Sequence, residues 1–263
     1  MKLNAEPQKP NLERCRQAFF KIGWFIPAYA QMSFYRETAE KIESAKNIEE
    51  LDLESIFLQL YSPDHLAAML LHRYTEVPEI FRFRRVIHES IQAHFAQMHR
   101  VSICGILSCI EGITLAIGKN RGLKKKFSGQ LFEILLEDVV KQINEKNIGI
   151  IGEYHSALKS FEEFARKIMF VNSEARNESN GIARNSIFHG VLGDEDYGDP
   201  LDFYRCISTI DFLCLISSFK NPTSMFAPSP TEQSMRLAEH YMAYSVIASS
   251  SQSIQNKIFD QNP

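Results

Sequence analysis

The residues best suited to chemistry lie in one short run, Arg184-Asn185-Ser186-Ile187-Phe188-His189-Gly190. An imidazole is the side chain that gains and loses a proton near neutral pH. A guanidinium is planar and permanently charged, which suits a centre where negative charge accumulates. Asn185 adds a polar group able to orient a neighbour. This composition fits a site that moves protons beside an anionic centre. Five residues on an ideal helix lie about 140° apart. Arg184 and His189 therefore share a cleft only where the helix is short or irregular, or where the long Arg side chain bends round.

The other titratable groups make weaker arrangements. Arg82 and His88 have similar spacing, but Phe83 takes the place of the polar residue and the surroundings are a basic amphipathic stretch. His88-Glu89 with His94 superficially resembles a zinc-protease helix. Two ligands on one helical face need a spacing of three or four, and these are six apart. His94 and His99 miss that spacing too. His65 and His72 share a face and read as an ordinary exposed pair. Asp194, Glu195 and Asp196 read as capping or solvated. No Gly-rich phosphate loop, nucleophile elbow or Ser-His-Asp arrangement is visible, so neither a cofactor nor a metal is expected. The basic run Arg121, Lys124, Lys125 and Lys126 is the candidate polyanion contact. Arg82, Arg84 and Arg85 interleave with Phe81 and Phe83, as expected of an amphipathic helix burying its aromatic residues.

The elements that must position these residues are helices. Periodicity of 3.6 residues dominates, and no alternation lasts long enough for a strand. Helices are expected over a short stretch ending near Trp24, then at 29–45, 51–61 and 63–74, with one long helix or two over 78–118. The set Leu131, Leu135, Val139 and Ile143 marks a further helix, and so does Leu158, Phe161, Ala165 and Ile168. Residues 119–128 form a basic connector, and 172–180 a polar loop. A short helix spans roughly 182–188, an acidic loop follows at 193–198, and Asp199-Pro200 caps the next helix. That helix stacks Phe203, Ile207, Ile210, Leu213 and Phe219. After a Pro- and Ser-rich linker at 221–230, an amphipathic helix over 232–258 carries Leu237, Tyr241 and Tyr244.

The Arg-polar-x3-His run, with Gly190 after the His and an apolar helix beyond the acidic loop, resembles the signature of HEPN-domain proteins. Glu111, on an upstream core helix, matches an acidic position found in some of them. The resemblance covers roughly 101–219. It implies an all-α, up-and-down helical bundle, here with an extra N-terminal helical region (1–100) before the domain (101–220), and a linker with a C-terminal helix (221–263). It implies metal-independent RNA cleavage by a homodimer, in which the ribose 2′-hydroxyl is the nucleophile. His189 would move the proton, Arg184 would stabilise the phosphorus centre and Asn185 would orient. It further implies a toxin or phage-defence role, with a cognate regulator or antitoxin as partner. One branch of the family carries a modified Tyr two residues after the His; Val191 stands there, so that regulation is not expected. The alternative is a non-catalytic module of the same fold that binds RNA, a nucleotide or a partner protein.

Bulk properties bound these readings. The 263 residues are 44 % apolar and 23 % charged, with 19 Phe, as in an ordinary folded chain. A formal charge of −3 excludes broad coating of duplex nucleic acid and leaves room for a local phosphate site. The five Cys are odd in number and include no Cys-x-x-Cys pair, as expected of reduced thiols in a cytoplasmic protein. The first ten residues lack a signal pattern. The longest apolar stretch, 101–117, is interrupted by Ser102, Ser108, Glu111 and Thr114, so no membrane span is expected.

Overall fold

Helix starts fall where the sequence offers caps. Asp52, Ser62 and Asp199 each accept a backbone N–H of the following first turn, from Ser55, His65 and Leu201 respectively. Pro63 and Pro200 take the first helical positions, where a missing N–H costs nothing. The computed structural model describes residues 11–123, 128–147, 151–170, 184–188, 190–220, 224 and 226–259. Among them every regular element is helical. They are α1 (Asn11–Lys21), α2 (Met32–Ser44), α3 (Leu53–Leu60), α4 (Pro63–Ala68), α5 (Pro78–Phe81), α6 (Arg84–Phe95) and α7 (His99–Asn120). Then come α8 (Ser128–Lys146), α9 (Ile151–Phe164), α10 (Arg184–Phe188), α11 (Pro200–Ser218) and α12 (Glu232–Phe259). The expected polar loop at 172–180 lies outside the described residues.

The stretch expected as one or two helices over 78–118 is three. The break between α6 and α7 is a Schellman turn: Met98 N–H donates to Ala93 O and Gln97 N–H to His94 O, with Gln97 at φ 60°. Gln in a left-handed conformation gives no sequence warning, whereas Gly would. The helix expected over 63–74 also changes character: α4 passes into a π-type turn at Met69–Arg73 and a 3₁₀ turn at Tyr74–Glu76.

Helix α11 is the axis of the fold. It is buried on all sides from Asp202 to Ser218, which is why its apolar residues spread beyond one stripe. It packs on α7, and α6 runs back along α7. That second contact is close because Phe83 fills the space that a side chain at Gly112 would need. Helix α7 alone among the described helices has the length and apolar composition of a membrane span. Just over half of that window (56 %) is buried within the fold, as in a core helix.

One buried cluster runs from Leu12 through Phe25, Ile106, Phe161 and Phe212 to Tyr241. It crosses the expected boundary at residue 100. Phe25 meets Phe161, Phe164 and Phe212, and Arg205 of α11 donates to Gly23 O. Trp24 is fully buried, stacked on Phe57 at 3.5 Å, with the Arg205 guanidinium 5.1 Å from its ring. Helix α12 packs back on α4 and α6 as the apolar stripe required. Its buried seam sets the small Ser234, Ala238 and Ala248 around the fully buried ring of Tyr241; Leu237 and Tyr244 flank it, half-buried.

Candidate functional site

The Arg184–Gly190 run begins as α10, five residues long and packed on α7. Ser186 is buried and Ile187 packs against the core, so this face anchors the helix. The helix ends in a second Schellman turn: Gly190 N–H donates to Ile187 O (3.1 Å) and Val191 N–H to Ser186 O (2.9 Å), with Gly190 at φ 64°. This explains the Gly that follows the His in sequence. A Cβ there would meet nothing within 4 Å, so the requirement comes from the backbone alone. Phe188 and Val191 are exposed at this edge, at 41 % and 60 %. The side chains of Arg184 and Asn185, and all of His189, lie outside the described residues. Glu111 is half-buried on α7, the helix that carries α10.

The loop after α10 is pinned to α7. Arg100 Nε donates to Asp194 O (2.6 Å), and the Tyr197 hydroxyl lies 3.8 Å from the Cys104 thiol. Asp196 caps the loop by accepting from Gly193 N–H, as expected of this acidic run. The spacing did not reveal what the loop builds. Together with 48–54 and the start of α11 it lines a cleft of about 790 Å³. Glu49, Asp52, Glu54, Glu195, Asp196, Asp199 and Asp202 meet there, against Arg100 and Arg205 alone. Arg205 is committed to Asp202 (2.8 Å). Burial, then the negative charges of Asp199 and Asp52, hold Glu54 above the ordinary carboxylate range. This flank attracts cations and repels phosphates.

The basic run is partly corrected. Arg121 does not face solvent: its side chain is 2 % exposed, paired with Asp138 at 2.6 Å and donating to Ile216 O at 2.8 Å. It ties the end of α7 to α8 and α11. Lys124, Lys125 and Lys126 lie outside the described residues. Among the aromatic–basic residues, Phe83 is packed inward, whereas Phe81 stays 40 % exposed beneath the Arg84 guanidinium.

The histidines depart most from linear spacing. His94 and His99, excluded as partners on one helix, meet because the Gln97 corner folds α7 back; their Nδ1 atoms are 3.3 Å apart. Burial, then the neighbouring His99, drives His94 well below its ordinary value, and it stacks on Phe203 at 3.9 Å. His65 is not the exposed residue expected: burial pushes it down to about 4. His88 bonds the Tyr241 hydroxyl at 2.8 Å, tying α6 to α12. Among the described residues, no three His, Cys, Asp or Glu side chains converge as metal ligands. The chain matches no family model, no curated protein and no solved structure.

Proposed function

We propose that this chain is a metal-independent endoribonuclease of the HEPN kind, acting as a homodimer. The observation that carries the reading is the seating of the Arg-polar-x3-His-Gly run: a five-residue helix, fixed to core helix α7 through Ser186 and Ile187 and ended by the Gly190 turn. A short anchored helix at a surface edge suits a site that must meet its own copy across a two-fold axis. The exposed Phe188 and Val191 give that edge apolar area to bury.

In the proposed reaction His189 accepts the proton of a ribose 2′-hydroxyl. The 2′-oxygen bonds to phosphorus, and the bond to the 5′-oxygen breaks. A protonated His returns a proton to the leaving oxygen, leaving a 2′,3′-cyclic phosphate and a free 5′-hydroxyl. Arg184 offsets charge on the equatorial phosphate oxygens, and Asn185 orients. DNA lacks the nucleophile and is expected to be inert. The acidic cleft directs RNA away from the flank formed by the 193–198 loop. The test is cleavage of a mixed RNA pool in excess EDTA, wild type beside His189→Ala. Cleavage by the wild type alone supports the reading; equal cleavage by both overturns the role of His189.

A second reading is favoured by the acidic cleft. A non-catalytic module of the same fold would present that cleft to a basic segment of a partner protein, such as a cognate regulator. It expects no cleavage, together with salt-sensitive binding of a lysine-rich peptide that weakens in Glu54→Gln and Glu195→Gln.

A further inference from the structure

Nine buried side-chain polar atoms among the described residues have no hydrogen-bond partner, and five belong to residues that converge on one place. They are Tyr29 Oη, Tyr61 Oη, Arg73 Nε, Ser208 Oγ and Asp211 Oδ2. Asp211 and Ser208 sit one turn apart on α11, and both are fully buried. Tyr74 donates its hydroxyl to Asp211 Oδ1 at 2.6 Å, which leaves Oδ2 without a partner. The hydroxyls of Tyr61 and Ser208 face one another beside this carboxyl without closing an aligned hydrogen bond. The Arg73 guanidinium lies 5.5 Å from the Tyr29 ring.

Buried polar groups are nearly always paired, with protein or with ordered water. The Tyr29 hydroxyl leans on the Cys214 thiol and Arg73 is held through its other nitrogens, but Tyr61 Oη, Ser208 Oγ and Asp211 Oδ2 left unpaired in one spot would forfeit a large part of a domain's net stability. The donors and acceptors left over also match what water offers. Oδ2 needs a partner, and the two hydroxyls can each donate or accept. An internal water is held where a polar space provides two to four partners.

We propose that Asp211, Tyr61 and Ser208 form a built hydration site, in which an ordered water bonds Asp211 Oδ2 and both hydroxyls. This water fastens α11 to the segment after α3, while Tyr74 fastens the same carboxyl to the turn that follows the π-type segment. The sequence hides the site, because Asp211 reads there as one polar residue among apolar neighbours.

The sign of a conservative substitution tests the proposal. If the site were dry, Tyr61→Phe or Ser208→Ala would remove an unsatisfied buried hydroxyl and raise the melting temperature. With water bound, either change removes one of its partners and lowers the melting temperature by a few degrees. Oxygen-17 relaxation dispersion on the full chain counts long-lived internal waters, and the Tyr61→Phe, Ser208→Ala double variant is expected to show at least one fewer than wild type. A rise in melting temperature overturns the proposal. So does a fall with an unchanged water count, which would mean that the two hydroxyls bond each other directly.

Discussion

At the scale of the residue, two groups carry the sharpest expectations. If the motif cleaves RNA, His189→Ala removes proton transfer and slows cleavage about 10²–10⁴-fold. Arg184→Ala raises the barrier by about 3–4 kcal/mol. Both should act on kcat and leave the melting temperature unchanged, as a combined cleavage assay and thermal melt would show. Asp211 makes a prediction that needs no substrate. Burial raises its carboxyl to about 8 from the ordinary 3.8, outweighing the Tyr74 hydrogen bond and the Arg73 charge, which lower it. The folded chain therefore keeps a proton that the unfolded chain has released, and stability falls as pH rises from about 4 to about 8, then levels off. The slope is at most about 1.4 kcal/mol per pH unit. The titratable and charged groups facing Asp211 are Tyr74, Tyr61, Tyr29, Arg73 and Cys214, with Arg73 paired to Glu76. Asp211→Asn mimics the protonated acid, so the stability difference between the two proteins across pH 5–8 should show this slope. A pH-independent difference would show that Asp211 is ionised throughout.

At the scale of the element, two helix ends can be tested. Gly190→Ala places a Cβ in a left-handed conformation with no clash around it. The expected cost is about 1–2 kcal/mol, read as a drop of a few degrees in Tm. Truncation after Pro230 strips the cover formed by the Ser234–Ala238–Tyr241 seam and should lower Tm markedly; an unchanged Tm would mean that α12 contributes no stability. These elements also show what the sequence made legible. Side-chain caps at Ser62 and Asp199, and the long amphipathic run of α12, are local signals, and their helices begin where those signals stand. The α6–α7 corner was hidden because Gln97 takes the left-handed position. The same corner defeats spacing rules at His94 and His99, which assume one continuous helix. The acidic cleft was hidden for another reason. Its carboxylates come from segments roughly 140 residues apart in sequence, near Asp52 and near Asp196, and no linear pattern joins them. The Asp211 site was missed because the polar residues of α11, read in linear order, do not announce the tyrosines that surround one of them.

At the scale of the whole molecule, the proposed activity requires two copies. Light scattering at micromolar concentration is expected to give a dimer, and a fully active strict monomer would refute that arrangement. Within each copy, the core that joins Phe25 to Phe161 and Phe212 packs residues 11–100 and α11 into one buried cluster, expected to unfold as one cooperative unit. A fragment spanning 101–220 should therefore fail to fold alone. Trp24 makes this cooperativity visible. It is the only tryptophan in the chain, and it sits where the N-terminal segment, α3 and Arg205 of α11 meet. Its emission is thus a single-site optical reporter, blue-shifted while the core is closed and red-shifted when water reaches the indole. Because Arg205 lies over the ring and also lines the acidic cleft, the second reading expects a lysine-rich peptide docked in the cleft to alter that emission without unfolding anything, and titration by fluorescence would follow its binding with no added label.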